Sequence, residues 1–115
     1  MSARVFVIQE PWPNRDTGEP VRDFTPAETY GKLHMLLPCD HAPSEHLADD
    51  LLNAGLRHEY RVGDYLVCSG HPAAIGIATA IAAQRGPVNL LVWSGRRRNY
   101  NVVKFDLKAV EPALG

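Results

Sequence analysis

The chain has 115 residues, 45% of them apolar and 22% charged, with two cysteines and a formal net charge of −1. This mixture fits one globular domain with a modest core; it is too poor in cysteine for a disulfide scaffold and too nearly neutral for a general nucleic-acid binder. No apolar run reaches the roughly 20 residues that span a bilayer, and the opening MSARVFVIQEPWP lacks a signal-peptide pattern, so a cytoplasmic protein with Cys39 and Cys68 as free thiols is expected.

The first element is RVFVIQE (4–10), a β-branched run that reads as a strand. PWPNRDTGEPVRDFTPAE (11–28) follows, and its four prolines exclude a regular helix or a central strand. It reads as an irregular arm that Trp12 and Phe24 pin to the body or to a partner. YGKLHMLLP (30–38) is a second strand ended by Pro38. Ser44 is placed to cap a helix through EHLADDLLNA, with Leu47, Leu51 and Ala54 on one apolar face and Gly55 as the left-handed cap at its end.

A third strand lies within HEYRVGDYLVCSG (58–70), clearest in DYLVCS, where apolar residues run without alternation as in a strand covered on both faces. HPAAIGIATAIAAQ (71–84) is the second helix, with His71 as its N-cap, Pro72 at the first helical position and Gly86-Pro87 as its stop. VNLLVWS (88–94) and YNVVKFDL (100–107) are the last two strands, joined by the turn GRRRN into an antiparallel hairpin. Strand, helix and strand over 65–94 form a βαβ unit, which implies a parallel pair and a right-handed crossover. The expected fold is therefore a single small α/β domain over 1–115. Its element order is β-β-α-β-α-β-β, giving a mixed sheet of about five strands with two helices and a C-terminal β-hairpin. Two helices leave one sheet face for the arm or for a second subunit.

The order and spacing of several segments carry a resemblance. They are VFVIQE, TPAETYGKLHMLLP, GDYLVCSGHPAAIGIATAIAA and VNLLVWSGRRRNYNVVKFDL. Together they make the chain resemble a family of small, uncharacterised proteins encoded by tailed bacteriophages. The resemblance covers nearly the whole chain apart from the arm and the first helix, and implies a phage origin and a host-cytoplasm setting without bringing an activity. Three departures accompany it: His71 stands where the family's helix cap is Asp, Ser94-Gly95 where its turn opens Asp-Arg, and the arm is longer.

Four groups of residues are candidates for function. Ser69, Gly70 and His71 join a strand to a helix N-terminus, where unpaired N–H groups and the helix dipole attract anions; a nucleotide or other phosphorylated ligand is the corresponding guest. One glycine is not a dinucleotide fingerprint, and the Gly-Lys-Ser/Thr of a phosphate loop is missing. The alternative is a tight turn capped by His71. Arg96, Arg97 and Arg98, followed by Tyr100, form a basic hairpin tip suited to phosphate backbones or an acidic partner, or else a solvated turn. This tip belongs to an uneven charge distribution: five Lys/Arg against ten Asp/Glu in residues 1–60, and seven against three in residues 61–115. An acidic half and a basic half suit association with a polar partner or with a second copy. Trp12 and Phe24 are candidates to bring the arm onto a partner.

The helix after His71, coated in Ala, Gly and Ile, is expected to be covered on more than one side, by the sheet and by the arm or a second copy. Cys39, Asp40, His41 and His46 are close in sequence but match no zinc spacing, so neither metal nor cofactor is expected. Cys68, Ser69 and His71 are near neighbours without a nucleophile elbow. The reading favoured by these features is a non-catalytic phage accessory protein that binds a host or phage macromolecule, a protein first. The alternatives are a phosphate-ligand binder, a nucleic-acid contact through the hairpin, and a minor virion component.

Overall fold

The computed structural model describes residues 2–18 and 24–109. Five strands form one sheet: β1 (Arg4–Gln9), β2 (Lys32–Leu37), β3 (Tyr65–Val67), β4 (Val88–Ser94) and β5 (Asn99–Phe105), in the spatial order β2-β1-β3-β4-β5. The pairs β1–β2, β1–β3 and β3–β4 are parallel, and only the β4–β5 hairpin is antiparallel. The expected mixed α/β fold is thus what forms, with more parallel pairing than the single βαβ unit implied. β1 takes the interior position because RVFVIQ is apolar on both faces. Val5, Phe6, Val7 and Ile8 are all fully buried, as a strand covered on both sides must be.

The two faces are covered differently. Helices α1 (Leu47–Leu51) and α2 (Pro72–Ala83) lie on one face, where Leu47, Leu51, Ala74, Ala78 and Ala82 pack with Phe6, Ile8 and Leu66. Full burial of a leucine such as Leu51 contributes about 1.5–3 kcal/mol. The other face holds Val5, Val7, Val67 and Leu91, and is closed by Phe24, Ala27 and Tyr30 around a 3-10 helix at Thr25–Thr29. The end of the arm therefore covers the face that two helices could not, with Phe24 pinned to the body; residues 19–23 of the arm lie outside the described residues.

α1 departs from its sequence expectation at its start. His46, not Ser44, is its N-cap; Ser44 lies two residues earlier, its hydroxyl accepting from the His46 N–H at 3.1 Å. At its end Gly55 takes a positive, non-helical φ of +156°, the break expected there, within the turn at Leu52–Leu56. Beyond that break Leu56 is fully buried in the helix-side core. α2 follows its expectation: Pro72 opens it and the His71 Nδ1 accepts from the Ala73 N–H at 3.0 Å. It is not covered all round, however. Ala74, Ala78 and Ala82 form the buried stripe, whereas Gly76 and Ala80 are exposed and the arm packs on the opposite sheet face.

This asymmetry sets the response of α2 to enlargement. Ala78→Leu should overpack the sheet contact and lower stability by about 1–3 kcal/mol, while Ala80→Leu should stay within about 0.5 kcal/mol, as measured by urea unfolding. Tyr60 gives a pH prediction. Its buried hydroxyl has no hydrogen-bond partner among the described residues. Burial, and then the charge of Asp64, hold its pKa above the ordinary 10.0, with Arg85 pulling weakly the other way. A raised folded-state value means that the stability it contributes is complete below the unfolded value and is lost as pH rises through the folded one. Tyr60→Phe should therefore be nearly neutral at pH 7 and should make the loss of stability above about pH 10 shallower.

Candidate functional site

The topology defines where a site can form. From β1 the chain crosses to β2 over one face; from β3 it crosses to β4 over the other. Neighbouring strands whose connections diverge leave a crevice beyond their carboxyl ends, the usual ligand position in open α/β sheets. A cleft of about 420 Å³ lies there. Its walls are the end of β1 and the arm (Gln9, Glu10, Pro11, Trp12), the loop after β2 (Cys39, Asp40, His41, Ala42, Pro43), and the turn into α2 (Gly70, His71).

Gln9 ties these three walls together. It is only 4% exposed, and every arm of its amide is used. The Nε2 group donates to the Pro38 carbonyl at 3.2 Å and to the His41 carbonyl at 2.9 Å, and the Oε1 accepts from the His71 N–H at 2.8 Å. Gly70 makes this possible. Its φ is +106°, and a Cβ on it would lie 2.3 Å from the Gln9 Cβ, so only glycine admits the amide so close to the turn. The loop after β2 is held a second time by the His41 Nε2 against the Asp50 Oδ2 on α1, at 2.9 Å. The cleft is therefore walled by anchored backbone.

Gly70 and His71 line the cleft while Ser69 does not, and two donors of the helix start are engaged within the chain. The His71 N–H is bonded to Gln9, the Ala73 N–H to the His71 ring, and Pro72 has no N–H. Ser69 is buried. The charged side chains in the cleft wall, histidines aside, are the carboxylates of Glu10 and Asp40, with no Lys or Arg among them. Burial pushes the Cys68 thiol up, which keeps it in the poorly nucleophilic neutral form. Among the described residues no group of three or more His, Cys, Asp or Glu side chains is arranged to hold a metal ion, and no helix is long and apolar enough to cross a membrane.

The other candidates separate. Trp12, on the cleft rim, is 65% exposed, whereas Phe24 packs into the second face. Arg96, Arg97 and Arg98 are exposed in the β4–β5 turn, where Arg97 reaches the Asn101 Oδ1 at 3.0 Å. Tyr100 does not join them as a stacking platform. It is 4% exposed and packs edge-on against Trp93 within the second-face core, because its register opposite Trp93 turns it inward. The residues missed by sequence reasoning are Gln9 and Glu10, while Asp40 and His41 were weighed there only for metal. The available signal for Gln9 was a polar residue ending the most apolar strand of the chain.

Gln9→Leu, close in size but unable to bond, should leave the Pro38 and His41 carbonyls and the His71 N–H without their partner and cost about 2–4 kcal/mol in chemical unfolding. Gln9→Glu should also destabilise, because a carboxylate would face the two carbonyls.

Comparison with known proteins returns one finding. No curated protein and no solved structure matches the chain. A family model described as Phage Pam3 gp32-like protein matches residues 3–107, from just before β1 to two residues past β5, in agreement with the phage resemblance of the sequence. The chain belongs to the Phage Pam3 gp32-like protein family.

Proposed function

We propose that this phage protein is a non-catalytic accessory protein of the host cytoplasm, acting by binding a host or phage protein through the cleft beyond β1 and β3. The observation that carries this reading is Trp12: a large aromatic side chain, 65% exposed, on the rim of a cleft with anchored walls. Exposed tryptophans beside a concavity are the usual anchors of protein interfaces, where their loss typically costs 2 kcal/mol or more. The chemistry of the cleft supports the same partner class. With Glu10 and Asp40 in the wall and the His71 and Ala73 N–H groups engaged inside the chain, a phosphate would meet negative charge and fewer donors. A protein segment bearing Lys or Arg would meet the opposite.

A photo-crosslinking amino acid placed at position 12 tests this in phage-infected cells. It should give a discrete adduct, while the same group at the exposed Val62, in the loop before β3, gives none; absence of any adduct at position 12 overturns the reading. For a partner so found, Trp12→Ala should weaken binding about 30-fold, equivalent to about 2 kcal/mol, by titration of the purified pair.

A further inference from the structure

The cleft and the basic turn lie at the same end of the molecule. β1, β2, β3 and β4 are parallel, so Gln9, Leu37 and Ser94 all mark carboxyl ends on one edge of the sheet. The loop carrying Asp40 follows β2 at one side of that edge, and Arg96, Arg97 and Arg98 follow β4 on the other. With about 4.8 Å between strands, the two sides are roughly 14 Å apart.

Among the described residues neither charge group meets an opposite. Among the described residues the ion pairs are His34–Glu59, His41–Asp50 and His46–Glu45. None of the three arginines meets a carboxylate, and neither Glu10 nor Asp40 meets a Lys or Arg. Within one chain the two groups are held apart by the sheet. Between two chains they are not. A twofold axis running past the end of β3 places the acidic cleft of each copy against the arginine turn of the other, and the same operation satisfies both contacts at once, as an isologous interface requires. The exposed indole of Trp12 on the rim adds an aromatic face for a guanidinium.

Resting on the reading of this cleft as a protein-binding site, we infer that its occupant is a second copy of the chain: Arg96 and Arg97 of each copy enter the cleft of its partner beside Glu10, Asp40 and Trp12. The interface is electrostatic and double, so it is salt-sensitive, and neither copy's cleft is complete without the other's turn.

Charge exchange tests the inference. Arg96→Glu/Arg97→Glu in one chain and Glu10→Lys/Asp40→Lys in another should each leave a folded monomer by circular dichroism and light scattering; Arg98 is left unaltered because its φ is +52°. The unmodified chain should be a dimer whose dissociation constant rises about tenfold or more on going from low to high salt. Mixing the two variants should restore the dimer, because the reversed turn then meets the reversed cleft and the unaltered turn the unaltered cleft. A chain that stays monomeric at low salt, a dimer that survives in both variants, or variants that fail to recombine would overturn the inference. Nucleic-acid binding by a monomeric unmodified chain that the turn variant loses would overturn it too and assign the arginines to phosphates. If the chain is monomeric while position 12 still crosslinks to another protein, the dimer fails and the function proposed above stands. If position 12 crosslinks to nothing, both fail.

Discussion

The structure depends on β1 being interior. A strand with Val5, Phe6, Val7 and Ile8 fully buried must have neighbours at both edges and cover on both faces. β2 and β3 supply the edges, the helices supply one face and the Phe24–Tyr30 segment the other. Right-handed crossovers to opposite sides of β1 then require connections on opposite faces, and the crevice between β1 and β3 follows from that divergence rather than from any special residue. The site is a consequence of burying one apolar strand.

Gln9 turns the crevice into a fixed shape. An amide offers two donors and one acceptor in a plane, and here those meet two carbonyls of the loop after β2 and one N–H of the turn into α2. Three segments distant in sequence are thereby set at hydrogen-bond distance from one side chain. Gly70 is the complement of that choice, since a Cβ there would occupy the place of the amide. The same bonds consume donors that an anion would need. Part of a turn with the outline of a phosphate site thus holds the fold, and the His71 ring caps α2 by accepting from the Ala73 N–H.

At the carboxyl end of the sheet, charge and one indole are open to other molecules. The carboxylates of Glu10 and Asp40 lie on one side of the strand ends, the arginines of the β4–β5 turn on the other, and Trp12 stands on the cleft rim. The uneven charge along the chain becomes, in three dimensions, a surface with separated signs at one end of the sheet. Such a surface favours orientation-specific protein contact.

The sequence by itself determined the elements and their order. Apolar runs marked all five strands, Pro72 and Gly86-Pro87 bounded α2, and the phage family was legible in VFVIQE, TPAETYG and the GDYLVCSGHPAAIG segment. These signals are local, carried by residues within one or two turns of each other. At α1 only the start differed, with His46 and not Ser44 as the N-cap, while Gly55 breaks the helix where its freedom of φ allows. The tertiary structure alone decided that β1 lies between β2 and β3, that Tyr100 is covered by Trp93, and that Gln9 joins residues 38, 41 and 71. Strand order and side-chain closure depend on which distant segments share a face. A periodicity of two or of 3.6 fixes the face within an element and carries no information about its neighbour.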